Sequence, residues 1–155
     1  MAVATGRVEG KKPSTHLKAL NPLIGRWITD GRTIATGDSP SVPIVASDTY
    51  EWLPGGFFVM HVAHGKIGDV PVGGIEILGW DEEKQTLTTW FFDSEGNHSS
   101  HRLTQNGDKW TWQGTDARAT GILEDDGRRF VTKHERSDDG KTWLHSMDVV
   151  LTRVD

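Results

Sequence analysis

From Arg26 onward, apolar and polar residues alternate in runs of six to twelve, and turn-forming residues separate the runs. Period-two alternation places successive side chains on opposite faces of a strand. The pattern predicts strands over 26–34, 46–53, 56–65, 73–81, 86–93, 97–105, 109–114, 117–124, 128–137 and 142–153. The breaks between them carry turn chemistry: "PGG", "DEEK", "SEGN", "NG" and two "DG" pairs. Segments recur about every ten residues, the spacing of an antiparallel meander. Ahead of the strands, Ser14 is a fitting N-cap for a short helix through "THLKAL", which Pro22 should stop. Residues 1–13 are small, polar and unpatterned and read as a loose tail, leaving one domain over 14–155. About ten strands in succession must protect their edges, and closure does so. The expected fold is all-β: a single up-and-down antiparallel barrel with a short N-terminal helix. The long "ATGDSPSVPIV" loop is placed to fold over one mouth.

Two-residue turns would fix the pairing. Centred on Asn106-Gly107, Glu95-Gly96 and Glu83-Lys84, they set His101 beside Trp112, Trp90 beside His101, and Ile77 beside Trp90. Turns at Thr115-Asp116, Asp126-Gly127 and Asp139-Gly140 carry the row on through Ala119, His134 and His145, and set Arg136 beside Trp143 and Thr132 beside Met147. One face then holds Ile75, Ile77, Trp90, Phe92, His101, Leu103, Trp110, Trp112, Leu123, Phe130, His134, His145, Met147, Val149 and Leu151. The other holds Glu76, Thr88, Arg102, Thr111, Arg118, Lys133, Glu135 and Asp148. The apolar set should face inward. The same reasoning turns Phe58, Met60, Val62 and His64 in and His61 and His98 out, and puts Tyr50 and Trp52 on the inner face.

Composition narrows the function classes. The chain of 155 residues is 35% hydrophobic, with seven Trp and five Phe. A net charge of −5 offers no basic face for nucleic acid and no electrostatic attraction to an anionic membrane. The absence of cysteine removes disulfides and thiol chemistry. No apolar run approaches a membrane span, and the N-terminus lacks a signal-peptide core, so a cytoplasmic protein is expected.

An interior of aromatic walls with a few polar anchors is the usual form of a small-molecule site. The expected ligand is small and apolar or aromatic, held by His101, His134 and His145 among Tyr50, Trp90, Trp112 and Met147. Small residues at Ala119, Gly121 and Thr132 should keep room inside. The alternative is an enzyme of isomerase, cyclase or hydrolase type, with His134 and His145 as a cross-strand acid–base pair. No Ser-His-Asp constellation or Gly-x-Ser-x-Gly elbow supports it. No cofactor or metal is expected. "HVAH" and "HSSH" place their histidines on opposite strand faces, and the Asp-Gly turns lack the calcium-loop pattern. A homodimer through the outer barrel face would be ordinary.

"GRW" at Gly25-Arg26-Trp27 is similar to the G-x-W signature of the calycin superfamily, the lipocalins and fatty-acid-binding proteins. Together with "HLKALNPLIGRW", "YEWLPGGFFV", "PVGGIEILGWDEEKQTLTTWFFDSEGN" and the terminal "LTR", the chain resembles the DUF1579 family of bacterial calycin-like proteins over nearly all residues beyond 14. Trp80 stands where that family usually has Tyr. The resemblance implies a lipocalin-like barrel in which Trp27 closes one end and stacks on Arg153. It implies little about activity, because fold alone does not supply function. Related ten-stranded barrels, the nitrobindins, hold haem, for which His134 or His145 would be the axial ligand.

Overall fold

The structure is a computed structural model and describes residues 11–155. Residues 1–10 of the expected tail lie outside the described residues. Ten strands follow a short helix: β1 (Gly25–Thr33), β2 (Pro43–Trp52), β3 (Phe58–Ile67), β4 (Val70–Asp81), β5 (Thr86–Asp93), β6 (His98–Asn106), β7 (Lys109–Gln113), β8 (Ala117–Glu124), β9 (Arg129–Arg136) and β10 (Leu144–Arg153). Each pairs antiparallel with its sequence neighbours, and β1 pairs with β10 to close the barrel. All ten predicted strands are present, with ends shifted by up to three residues.

The helix spans Thr15–Leu23 and is of the tighter 3-10 type. Ser14 caps it by accepting from His16 N, and Pro22 lies in its last turn rather than beyond it. Leu17, Leu20 and Leu23 are buried against one end of the barrel. That end is sealed. Trp27 is 1% exposed, donates Nε1–H to Leu23 O, and lies under the Arg153 guanidinium at 4.2 Å. Arg153 also donates to the Ile24 and Pro22 carbonyls and so ties β10 to the helix end. The Trp27–Arg153 stack thus takes the form the family resemblance implies. Val59, Leu78, Leu87, Leu103 and Trp110 complete the core below it. The opposite end is open.

The pairing departs from the two-residue-turn expectation at three places. Between β6 and β7, Leu103 rather than His101 lies opposite Trp112. The slip is two residues, so both side chains keep their inward face. Between β5 and β6, Trp90 lies opposite Ser100 and Thr89 opposite His101. Here the loop has three residues, Ser94, Glu95 and Gly96, closed by Asp93 N donating to Asn97 O. Gly96 has φ +84°, and the Asp93 carboxylate accepts from the backbone N–H groups of Glu95 and Asn97. A type I turn followed by a left-handed glycine is the usual three-residue hairpin. Its extra residue changes the parity of the pairing. The expected pairing of Ile77 with Trp90 does hold, so β3, β4 and β5 invert together.

Ile75, Ile77, Trp90 and Phe92 therefore face outward, as do Phe58, Met60, Val62 and His64, against the expectation. His61, Glu76, Leu78, Thr89 and Val59 face inward. Ile75 is 42% exposed and Phe92 52%, whereas His61 and Glu76 are 8% and 5% exposed. At the third place a bulge between His145 and Met147 sets Met147 opposite His134 and His145 opposite Glu135. The bulge turns His145 outward, where its Nε2 meets Asp148 Oδ1 at 2.6 Å. Trp143 receives the guanidinium of Arg118, at 4.4 Å, rather than that of Arg136.

Candidate functional site

A cavity of about 820 Å³ runs from the open end into the barrel. Its mouth carries Ile67, Val72, Asp93, His98, Asp116 and Arg136, and its depth carries Thr29, Asp48, Tyr50, Glu76, Trp112 and Phe130. No residue of the 35–42 loop lines it. Of the seven residues expected at the site, Tyr50, His101, Trp112, His134 and Met147 line this cavity. Trp90 packs edge-on against Phe58 on the outer surface, and His145 is outside, so neither joins them. The predicted His134–His145 pair is therefore not formed. The gap foreseen at Gly121 is filled by the Phe130 ring, and the ring of His101 covers Gly114. Ala119 and Thr132 do border open space. A separate hollow of about 630 Å³ is bordered by Asp30, Arg32, Lys109, Lys133 and Asp148, and these charges of both signs lie away from the interior groups.

The deep wall is built around His61. Its Nε2 lies 2.6 Å from Asp48 Oδ1 and its Nδ1 2.8 Å from Glu76 Oε1. Thr29 Oγ1 donates to Asp48 Oδ2, and Trp112 Nε1 donates to Glu76 Oε2 at 3.0 Å. The Tyr50 ring stacks on the imidazole with centroids 3.9 Å apart. Pairing produces this array directly: Tyr50 lies opposite His61, and His61 opposite Glu76. Asp48 enters from two residues along β2 on the same face.

Burial alone would push the His61 imidazole down. Hydrogen bonds to Asp48 and Glu76 and the charges of both carboxylates outweigh it and hold the pKa at about 9. His61 is thus an imidazolium at neutral pH, donating from both nitrogens. Burial, with Glu76 and Asp48 adding to it, raises the Tyr50 phenol well above its ordinary value, so it stays protonated. His134 is the opposite case. Burial drives its pKa to about 4 against the weaker pull of Asp148, Asp48 and Glu76. Burial also lowers His101, opposed by Glu76 and Asp116.

His134 is therefore neutral, and its tautomer follows from its neighbour. Thr132 Oγ1 donates to Val149 O at 2.9 Å, so it accepts from His134 Nε2–H at 3.2 Å. Nδ1 is left as an acceptor. That commitment of Nε2, with His145 turned outward, does not suit a haem iron. Nor do Asp48, His61 and Glu76 form an ion-binding cage. The carboxylates sit on opposite nitrogens of one ring, and no metal-holding group of three His, Asp or Glu occurs among the described residues.

Sequence reasoning missed Asp48, His61, Glu76 and Thr29. Two signals were available: a histidine within "FVMHVAHG" and a glutamate within "GGIEILGW". A charged residue in the middle of an apolar strand is informative when both faces are considered for burial.

No helix among the described residues is long and apolar enough to cross a membrane. No curated protein matches the chain in sequence. Among solved structures, Rv2717c from M. tuberculosis superposes with a TM-score of 0.68 at 12% identity, covering 93% of this chain and 100% of its own. A de novo designed fluorescence-activating β barrel gives 0.47 at 12% identity, over 88% of this chain and 97% of its own. A protein of unknown function from the DUF3598 family of Nostoc punctiforme gives 0.49 at 15% identity, over 98% of this chain and 54% of its own. The first of these likenesses speaks to the fold alone. The family model described as "Protein of unknown function (DUF1579)" matches residues 12–153, and the chain belongs to that family.

Proposed function

We propose that this protein binds one small, mostly apolar or aromatic molecule inside its barrel. The observation that carries the reading is the open cavity of about 820 Å³, within the ordinary range of ~300–1,000 Å³ for ligand sites. Its walls carry Tyr50, Phe91, Trp112, Phe130 and Met147, and among its polar groups Asp48, Glu76 and His134 are fixed by hydrogen bonds. His101 and His134 act here as neutral hydrogen-bonding anchors rather than as charges.

Acid–base catalysis through a His134–His145 pair loses its basis with His145 outside the barrel. The His61 array holds its protons between two carboxylates and behind the Tyr50 ring, which favours anchoring over proton exchange.

Native mass spectrometry of the purified protein, with an absorption spectrum of the same sample, tests the reading. A co-purified mass, lost on His134→Ala but retained on the outer-face control His145→Ala, is the expected result. A ligand-free mass that does not shift with any of a panel of apolar and aromatic compounds would refute it.

A further inference from the structure

The donors of the deep wall, the Tyr50 hydroxyl excepted, are already spent. Both nitrogens of His61 are spent on Asp48 and Glu76, and Trp112 Nε1–H is spent on Glu76. Thr29 gives its proton to Asp48, and His134 gives Nε2–H to Thr132. The two arginines that line the mouth, Arg118 and Arg136, lie beside carboxylates there rather than reaching the deep wall. Arg118 grips Glu135 at 3.0 and 2.9 Å, and Arg136 lies 3.8 Å from Asp138. Acceptors remain. Each oxygen of Asp48 and Glu76 takes one protein donor and keeps a second lone pair, and His134 Nδ1 is free to accept.

The Tyr50 hydroxyl adds an independent observation. Tyr50 is 6% exposed and lines the cavity, yet its hydroxyl has no hydrogen-bond partner among the described residues. That hydroxyl can donate or accept, so it marks an unfilled place in the wall, and charge selects what fills it. Two carboxylates around one imidazolium leave a net negative charge, and the carboxylates border the cavity while the imidazolium does not. That charge attracts a cation and repels an anion. The faces of Tyr50, Trp112 and Phe130 suit a cation as well.

We infer that the ligand carries a protonated nitrogen (an ammonium, amidinium or guanidinium) on an apolar or aromatic body. The nitrogen sits against Asp48 and Glu76, and the body lies along Trp112, Phe130 and Met147 toward the mouth. The inference rests on the proposed binding function and gives that site its ligand class.

Calorimetric titration of the whole protein with matched probes tests it: tryptamine, 3-ethylindole and indole-3-acetate, with 1-naphthylmethylamine, 1-methylnaphthalene and 1-naphthoate as a second scaffold. The cation of each set should bind at least about tenfold more tightly than its neutral analogue, and the anion most weakly. Glu76→Gln should cancel about tenfold of that preference while changing the neutral probe's affinity by less than about twofold. Should Glu76→Gln fail to fold, Asp48→Asn makes the same comparison, and the wild-type ranking decides alone. Neutral or anionic probes binding as well as the cations would overturn the ligand class and leave the binding function standing. No binding by any of the six would overturn the binding function itself.

Discussion

Raising or lowering the pH away from about 6.5 should destabilise the fold, with a different histidine responsible on each side. His61 has a pKa of about 9 in the folded protein, against an ordinary 6.5. Above pH 6.5 the unfolded chain releases this proton and the folded protein keeps it. Its contribution is complete below pH 6.5 and is lost as the pH rises through 9. A difference of about 2.5 pH units, at about 1.4 kcal/mol each, gives about 3 kcal/mol. His134 has the opposite sign. Its folded pKa of about 4 lies below the ordinary value. Its contribution is complete above pH 6.5 and is lost as the pH falls toward 4, again by about 3 kcal/mol. Against a typical domain stability of ~5–15 kcal/mol, each limb is easily measured. Urea unfolding followed by Trp fluorescence at half-unit steps from pH 4.5 to 9.5 gives the profile. His61→Gln should flatten the slope between pH 6.5 and 9, whatever it does to the absolute stability. His134→Gln should flatten the slope between pH 4.5 and 6.5. A wild-type profile that is level from pH 6.5 to 9, or an alkaline slope that survives His61→Gln, would refute the reading of His61 as a buried imidazolium.

Two further perturbations test the closed end and the inverted strands. Trp27→Ala removes a 1%-exposed side chain and its stack with Arg153, and should cost about 3–5 kcal/mol. At 2–4 °C per kcal/mol the melting temperature falls by roughly 10 °C, and an unchanged melting curve would show that Trp27 is no plug. On β4, Leu78→Ala should cost about 2–5 kcal/mol and its outward neighbour Ile75→Ala less than about 1 kcal/mol. The reverse order in urea denaturation would restore the register in which Ile75 faces in.

The sequence makes the barrel legible because turn residues and period-two alternation recur ten times. It makes half the interior legible for the same reason. On β6 to β9, polar and apolar residues separate cleanly, and a two-residue slip at Asn106-Gly107 does no harm, since it preserves which way His101 and Trp112 point. The errors come from single-residue events. "DSEGN" holds both a two-residue turn at Glu95-Gly96 and a three-residue turn ending in Gly96, and the two differ in parity. Asp93 decides between them by accepting from two loop N–H groups, a choice made by local hydrogen bonds rather than by strand patterning. The bulge at His145–Met147 likewise has no glycine or proline to announce it. His61 and Glu76 fall to the first of these errors, because the hydrophobic rule prefers Ile75, Ile77, Trp90 and Phe92 inside; Asp48 already shares the inner face assigned to Tyr50, and nothing in the strand pattern marks it as one of a set.

That preference is itself the reason to read the array as functional. The register with β3 to β5 reversed would bury those four apolar side chains, and would leave His61, Glu76 and Thr89 in water together with Val59, Leu78 and Leu87. The chain instead encloses a histidine and two carboxylates, leaves Ile75 and Phe92 about half exposed, and encloses a Thr89 hydroxyl with no partner. Enclosing ionised groups costs several kcal/mol each, and their mutual attraction offsets this at best in part. Burial of Val59, Leu78 and Leu87 on the same face offsets part of that cost, but the ionised groups add nothing to it that an apolar side chain would not. Departures from the hydrophobic rule concentrate where a site needs them. Here the departure begins at one loop residue between β5 and β6 and ends with the carboxylates of Asp48 and Glu76 facing an open cavity, the one arrangement in which their cost has a use.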